Sequence, residues 1–250
     1  MTILKTRKSL DGILDALFYS FTKGIISDNV IALNVYQMDF TSVIINVPKF
    51  SEKDRLRVKS ALVKYSGEDI INDVNLCLLS GDEKALKYAF DYTRATLNRK
   101  TNCICDISNP FVAPFRYCIK NVLDERHRAT GFIRFRESEN GVLYAPFSPD
   151  NDIVGLVAPH FLRRLGTTPF ILHDVKRNKV AISDGNTFHT FTTEKIANFT
   201  PSENERFCVS LWQKYYNSVN IESRKNTRQQ NNFMPKRYRK FMPETWETDV

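Results

Sequence analysis

The chain has 250 residues, 42% of them hydrophobic and 12% aromatic, and carries a formal net charge of +8 at pH 7. This composition excludes an intrinsically disordered protein, and the length allows one large domain or two small ones. The positive charge favours a polyanionic partner, although charge by itself decides neither fold nor catalysis.

The cysteines and the apolar segments limit the class of protein further. Cys103 and Cys105 stand too close together for a zinc knuckle, and no second pair lies at the spacing of a zinc finger. We therefore expect reduced thiols and a cytoplasmic location. No apolar run approaches the roughly 20 residues that span a bilayer, and the N-terminal sequence lacks the pattern of a signal peptide, so we expect no membrane contact.

Helical spacing of apolar residues dominates the first 125 residues. Ser9 is placed to cap a helix that ends at Gly24, and Ser51 is placed to cap a charged helix. The other elements predicted in this part are helices over 68–79 and 82–98, a helix that follows Asn109-Pro110, and short strands over 30–35 and 42–47.

Short β-strands replace the helices from residue 130. The strands of this part are predicted at 131–136, 142–147, 170–173, 180–182 and 188–191. Asn140-Gly141 is a strong hairpin signal between the first two, and Asp184-Gly185 forms a later turn. Between the second and third strands, Asp150 or Asn151 can cap a helix over 152–164.

A capping box, Ser202-Glu-Asn-Glu205, opens the last long helix. Five apolar residues of this helix are predicted to be buried: Cys208, Leu211, Trp212, Tyr215 and Val219. From Ser223 onward the chain is polar and basic and has little helical pattern.

These elements predict an α+β fold with a helical N-terminal half, an antiparallel sheet of four to five strands, a closing C-terminal helix and a basic arm. We expect a mainly helical part over 1–125 and an α+β core over 126–222 that packs with it as one continuous domain. The basic arm takes 223–250.

One face of the predicted strand 131–136 combines an aromatic residue with two cations. Phe132, Arg134 and Arg136 would point the same way, and such a face can stack bases and hold phosphates. The alternative is an amphipathic strand whose arginines are solvated or pair with Glu137 and Glu139.

The arm is a second candidate surface for nucleic acid. From residue 223 to residue 240 it has seven cations and no acidic residue, with Tyr238 available for stacking. The cations are Arg224, Lys225, Arg228, Lys236, Arg237, Arg239 and Lys240. The alternative is a solvated basic terminus, although 233–235 (Phe-Met-Pro) suggests that the arm docks apolar residues onto the body.

Histidines and aspartates near one predicted sheet end are candidates for catalysis. His173, Asp174, His160 and Asp150 can supply an acid, a base or a group that orients a histidine. Two histidines and a carboxylate would also suffice to bind a metal ion, but the spacing of these residues fits no metal motif. For each histidine taken alone, a structural role is favoured. Whether a metal binds stays open, and no cofactor is evident, since glycine-rich phosphate loops are missing.

Six blocks in the same order resemble a bacterial and phage family assigned to DNA metabolism or DNA repair, with no known mechanism. They are the segments 128–137, 143–145, 149–152, 158–161, 172–174 and 234–238. Leu10-Asp-Gly12 is similar to the opening of that family, and 226–244 to its ending. The chain departs from the family at Arg239, where an aromatic residue is usual.

The resemblance implies a place in DNA metabolism beside a radical-SAM protein similar to spore photoproduct lyase, or with a uracil-DNA glycosylase, to which some members are fused. This functional implication rests on association with those proteins. The matching positions are site candidates without an established catalytic role: His127, Arg134, Arg136, Asp150, Asn151, His160, His173, Asp174, Lys236, Arg237 and Tyr238.

Three functions follow as hypotheses. The leading one is a DNA-binding protein that acts in base repair or base modification with a radical-SAM or glycosylase partner. The second is an enzyme, a transferase or hydrolase that acts directly on a modified pyrimidine in DNA. The third is a protein-interaction module that does not touch nucleic acid. Single-stranded and double-stranded DNA, and RNA as well, are left open.

Overall fold

A computed structural model describes residues 2–34, 41–106, 108–194, 199–224 and 226–245. The chain divides into two compact units, Met1–Leu123 and Asp124–Val250. The end of the predicted strand 30–35 and residues 225 and 246–250 of the predicted arm lie outside the described residues. The division falls close to the predicted boundary at residue 125.

The first unit combines a small sheet with helices. Its elements are β1 (Thr2–Thr6), α1 (Leu10–Lys23), β2 (Asn29–Ala32), β3 (Val43–Asn46), α2 (Glu52–Ser66), α3 (Asp69–Leu78) and α4 (Ala85–Arg99). The three strands are parallel in the order β2-β1-β3. The sequence analysis missed β1, in which Ile3 and Leu4 are both buried, because a central parallel strand does not show the alternation that marks a strand.

Local capping signals place two helices of this unit, α1 and α2, as predicted. The hydroxyls of Ser9 and Ser51 accept hydrogen bonds from the backbone of the first turns of α1 and α2. Gly24 ends α1 in the left-handed conformation, with φ at 64°. Both predicted helix starts are therefore confirmed.

A buried carboxylate on α1 ties together segments of the first unit. The side chain of Asp15 is 2% exposed and accepts hydrogen bonds from Arg7 at 2.8 Å, from Arg55 Nε at 2.7 Å and from the backbone N–H of Phe50 at 3.2 Å. Such a buried ion is tolerated only when its lone pairs are occupied, as they are here. Arg7 and Arg55 are consequently committed to the fold.

The second unit is built on a five-stranded sheet. Helix α5 (Val112–Phe132) leads into it, followed by β4 (Arg136–Glu137), β5 (Leu143–Phe147), α6 (Val154–Leu165), β6 (Phe170–Asp174), β7 (Lys179–Ser183), β8 (Phe188–Thr192), α7 (Glu203–Val219), α8 (Thr227–Phe233) and α9 (Lys236–Arg239), with 3₁₀ turns at Glu222–Arg224 and Pro243–Thr245. The strand order is β4-β5-β6-β7-β8. The predicted combination of a helical first half, a sheet of this size and late helices is confirmed.

The pairing inside this sheet is mixed, whereas a wholly antiparallel sheet was expected. Strands β6, β7 and β8 form the predicted antiparallel meander, but β5 and β6 are parallel. Helix α6 connects them. A helical crossover returns the chain to the end of the sheet at which β5 began, so the next strand runs parallel to β5.

The predicted strand 131–136 is wrong over most of its length. Helix α5 continues to Phe132, and only Arg136 and Glu137 form a strand. The apolar stripe of α5, at 115, 118, 122 and 129, keeps its helical spacing up to Ile133, and this periodicity overrides the short alternation that suggested a strand. Phe132, Arg134 and Arg136 therefore do not share one strand face.

Helix α7 begins as predicted but does not bury the residues expected. Ser202 caps it by accepting a hydrogen bond from the backbone of Glu205. The five apolar residues predicted to be buried are exposed: Cys208, Leu211, Trp212, Tyr215 and Val219. The helix contacts the turn Pro243–Thr245 through hydrogen bonds: Gln213 donates to the Pro243 carbonyl at 3.0 Å, and the Trp212 indole donates to the Glu244 side chain.

The predicted arm folds onto the second unit in short helices. Its anchors are Tyr238 and Met242, which are 2% and 1% exposed. The anchoring differs from the expectation, because Phe233 of the proposed docking segment is exposed. In the described part of the chain, no helix is both long and apolar enough to cross a membrane.

Two glycines in turns of the second unit provide a matched test of close packing. A Cβ at Gly185 would lie 2.2 Å from the Thr167 carbonyl oxygen at φ +95°, whereas a Cβ at Gly141, at φ +74°, would meet open space. We expect Gly141→Ala to cost about 1 kcal/mol of unfolding free energy for its positive φ alone. Gly185→Ala should cost at least about 2 kcal/mol, because the backbone must also shift. Urea unfolding followed by circular dichroism measures both, and equal losses would contradict the close approach.

Candidate functional site

Glu125 on α5 is the centre of a polar network in the second unit. Its side chain is 1% exposed. It accepts hydrogen bonds from the backbone N–H of Asp150 at 3.0 Å and of Asn151 at 2.8 Å. The Asn151 amide, the Arg237 guanidinium and the Tyr238 hydroxyl donate three more, at 2.7, 2.8 and 3.0 Å. The two oxygens of one carboxylate thus join the loop before α6 to the predicted arm.

The network holds Glu125 ionised. Burial by itself would raise the pKa of Glu125, but the backbone N–H groups of Asp150 and Asn151 and the Arg237 guanidinium together lower it below its ordinary value. Burial would likewise lower the pKa of Arg237, and its bonds to Glu125 and Asp150 raise it instead. Burial and the Glu125 charge raise the pKa of Tyr238, which stays a neutral donor.

A second carboxylate supports the loop that faces Glu125. Asp174, at the end of β6, is fully buried and accepts hydrogen bonds from the backbone N–H of Lys176 and from the Arg177 side chain at 2.8 Å. Arg177 also donates to the carbonyls of Pro149 and Asp150. Burial raises the pKa of Asp174, while Arg177 and the backbone donors oppose that rise.

The structure therefore brings part of the predicted site together. Asp150, Asn151, Asp174, Arg237 and Tyr238 belong to one network, and Arg237 also pairs with the Asp150 carboxylate at 3.0 Å. The network is closed, since each of its two buried carboxylates accepts several donors. It holds the loop and the arm in place.

The predicted histidines lie apart from this network. His173 is mostly buried, and its Nδ1 is 2.8 Å from the Tyr144 hydroxyl; burial lowers the pKa of His173, which favours the neutral ring. His160 packs edge-on against Phe161 on α6, and His127 is exposed on α5. Among the described residues, no hydrogen bond or ion pair joins His160 to His173 or to Asp174, and no three His, Cys, Asp or Glu side chains are grouped so as to hold a metal ion.

The predicted aromatic and cationic strand residues have separate packing roles. The Phe132 ring lies 5.5 Å from the Tyr238 ring, measured between centroids. Arg134 pairs with Glu244 at 3.0 Å, and the Arg136 guanidinium lies 4.5 Å from the centre of the Phe199 ring.

The cations of the predicted arm divide into two groups. Arg224, Arg228 and Lys236 are exposed, and their side chains have no hydrogen bond or ion pair to any described residue. Lys240 lies over the Phe241 ring, and two guanidinium nitrogens of Arg239 are buried without a partner in the described part of the chain. Tyr238 is too buried to stack on a ligand.

A cleft of about 530 Å³ opens in the second unit, a size typical of sites for small molecules. Its walls come from the end of α5 and the segment after it, the end of α6, α7 and the turn Pro243–Thr245. Phe135, Phe161 and Trp212 give it aromatic surfaces, and Arg164 and Glu244 supply opposite charges.

Glu244 is held in a fixed position in this cleft. Its side chain is 7% exposed, Arg134 donates to Oε1 at 3.0 Å, and the Trp212 indole N–H donates to Oε2 at 3.2 Å. Arg164 is exposed and has no partner among the described residues. The cleft therefore offers a fixed acceptor and a free cation beside aromatic rings.

Sequence reasoning missed both Glu125 and the cleft. Glu125 lies on the apolar stripe of α5, between Val122 and Ala129, and a charged residue at a position predicted to be buried is a signal that sequence alone offers. The cleft has no such signal, because Glu244 and Arg164 come from distant segments and are ordinary surface residues by their local pattern.

Comparison with known proteins identifies a family for this chain. The family model DUF4130, described as a domain of unknown function, matches residues 83–244, more than half of the chain. The matched range contains all of the second unit from α5 to the Glu244 turn. No curated protein matches the chain.

Replacing Glu125 with Gln should destabilise the second unit in a pH-dependent way. At pH 7 we expect a loss of about 3 kcal/mol, because the amide cannot accept from all donors and leaves Arg237 without its main partner. The folded state lowers the pKa of Glu125, so its contribution is present above the ordinary carboxyl pKa and disappears as the pH falls through the lowered value.

Urea unfolding of the wild-type protein and Glu125→Gln from pH 7 to pH 3 tests this. The difference between them should shrink as the pH drops. Glu139→Gln, at an exposed carboxylate, is the control and should match the wild type throughout. A difference that is constant with pH would show that Glu125 does not contribute through its charge.

Proposed function

The chain belongs to the DUF4130 family, and from the charges of its second unit we propose that it is a DNA-binding protein. The single observation that carries the proposal is a set of exposed cations to which the fold gives no partner. They are Arg126, Arg128, Arg163, Arg164, Arg206, Lys214, Arg224, Arg228 and Lys236, whose side chains have no hydrogen bond or ion pair to any described residue. Phosphate groups are the ligands that such a set attracts most strongly.

The paired cations are not part of the proposed surface. Arg134, Arg177, Lys179 and Arg237 each bind a carboxylate at 3.0 Å or less. A phosphate could recruit them only by breaking those pairs, and for Arg237 this would leave Glu125 buried with its charge uncompensated. The contacts to DNA are therefore assigned to the exposed set.

DNA is favoured over other polyanions by the resemblance of the six sequence blocks to proteins of DNA metabolism. On the same ground we propose that the protein acts in base repair or base modification, together with a radical-SAM or glycosylase partner. That partner would carry out the chemistry, since the predicted catalytic residues Asp174 and His173 are engaged with Arg177 and Tyr144.

Two lysine substitutions test the assignment of the contacts. Lys236→Gln removes an exposed, unpaired cation, whereas Lys179→Gln removes one that is paired with Asp152 at 2.7 Å. In a plot of the logarithm of the binding constant against the logarithm of salt concentration, we expect Lys236→Gln to make the slope less steep by about 0.9 for duplex DNA or about 0.7 for a single strand, the values for one phosphate contact. Lys179→Gln should leave the slope unchanged.

Fluorescence anisotropy with labelled single-stranded and duplex DNA measures both slopes. Equal slopes for Lys236→Gln and the wild type would remove Lys236 from the interface. Absence of binding to either DNA near physiological salt would overturn the proposed function and leave the protein-interaction hypothesis.

A further inference from the structure

The geometry points to the aromatic cleft of the second unit as a binding site for one unstacked guanine base, with the phosphate of the same nucleotide on Arg164. This inference rests on the proposed function and deepens it, because it assigns a base-reading site to a surface otherwise proposed to contact phosphates. It concerns residues that lie in the second unit alone.

The size and the walls of the cleft suit a planar heterocycle. About 530 Å³ lies within the range of roughly 300–1,000 Å³ that small-molecule sites occupy. Phe135 packs edge-on against Phe161 with 4.8 Å between ring centroids, and Trp212 lies 5.7 Å from Tyr215 in a stacked arrangement. Phe135 and Trp212 are thus supported by these neighbours and present preformed surfaces on which a base can stack.

Glu244 decides which base fits. An ionised carboxylate only accepts hydrogen bonds and has about four acceptor positions. Arg134 occupies one acceptor position on Oε1 and Trp212 occupies one on Oε2, so each oxygen of Glu244 can accept a further hydrogen bond. Guanine presents two adjacent parallel donors, N1–H and the N2 amino group, which match the two oxygens of one carboxylate. Thymine presents a single N–H between two carbonyl oxygens, which the carboxylate repels.

Arg164 supplies the complement for the phosphate. It is in the last turn of α6, lines the cleft, is exposed and has no partner among the described residues. A guanidinium can hold a phosphate with two parallel hydrogen bonds. The neighbouring Arg163 is also exposed and its side chain has no partner among the described residues, but it does not line the cleft, so the chain provides a matched control at the adjacent position.

The intrinsic fluorescence of Trp212 reports binding directly. The chain has two tryptophans, and Trp246, which lies outside the described residues, is replaced by Phe so that Trp212 is the only reporter. The protein is titrated with the 5′-monophosphates dGMP, dIMP, dAMP, dCMP and dTMP. We expect dGMP to bind most tightly and dIMP, which lacks only the N2 amino donor, to bind roughly tenfold more weakly.

Three variants separate the two halves of the site. Arg164→Ala should weaken dGMP binding roughly tenfold by removing the phosphate contact, and Arg163→Ala should leave it unchanged. Glu244→Gln should abolish the preference for dGMP over dIMP. If Glu244→Gln fails to fold, the assignment of guanine is still tested. The affinities of dGMP and dIMP are then compared on the protein with Glu244 unchanged.

Equal affinity for all five nucleotides, or equal losses in Arg163→Ala and Arg164→Ala, would overturn the inference. A labelled oligothymidylate measured on the same protein distinguishes this failure from failure of the proposed function. Salt-dependent binding of oligothymidylate without any response to dGMP would refute the guanine site and keep DNA binding. Binding of dGMP without oligothymidylate binding would refute the general DNA surface.

Discussion

Glu125 carries a negative charge into a position where water hardly reaches it, and the assembly of the second unit follows from that constraint. An ion so deeply buried is costly unless nearly every lone pair is occupied. The hydrogen-bond donors to Glu125 come from two distant segments. Asp150 and Asn151 lie 25 and 26 residues later in the chain, and Arg237 and Tyr238 lie 112 and 113 residues later. Meeting the requirements of one side chain therefore fixes where the loop, the start of α6 and the arm lie.

The first unit follows the same logic with a different carboxylate. Asp15 is held by Arg7 and Arg55, as Glu125 is held by Arg237. In each unit, some of the positive charge of the chain neutralises an internal carboxylate and is not available to a ligand. The total of 36 lysines and arginines therefore overstates how many cations can bind phosphate, and the exposed set is defined only by the fold.

Sequence reasoning succeeded where a signal is local and failed where the deciding partner is distant. The caps at Ser9, Ser51 and Ser202 each need only the next few residues, and all three were predicted. The strand 131–136 was wrong because two periodicities compete over the same residues, and the longer helical one prevailed.

The candidate site was predicted only in part for the same reason. Asp150, Asn151, Asp174, Arg237 and Tyr238 were selected as chemistry-bearing residues, and the structure groups them, yet their common partner was missed. Their roles could not be read from spacing, because a phosphate-binding arginine and one that neutralises a buried carboxylate look alike in sequence. For Arg237, only the position of its partner Glu125 on an apolar stripe indicates that it neutralises a buried carboxylate and does not bind phosphate.

The distance along the chain between Glu125 and its last donors also has a consequence in time. At a synthesis rate of about 5–20 residues per second, Arg237 is made roughly 6 to 22 s after Glu125. During that interval the Glu125 carboxylate lacks its cation, so the part of α5 around Glu125 cannot reach its final buried environment. The second unit is thus bound to finish folding late in translation, when the first unit has already left the ribosome.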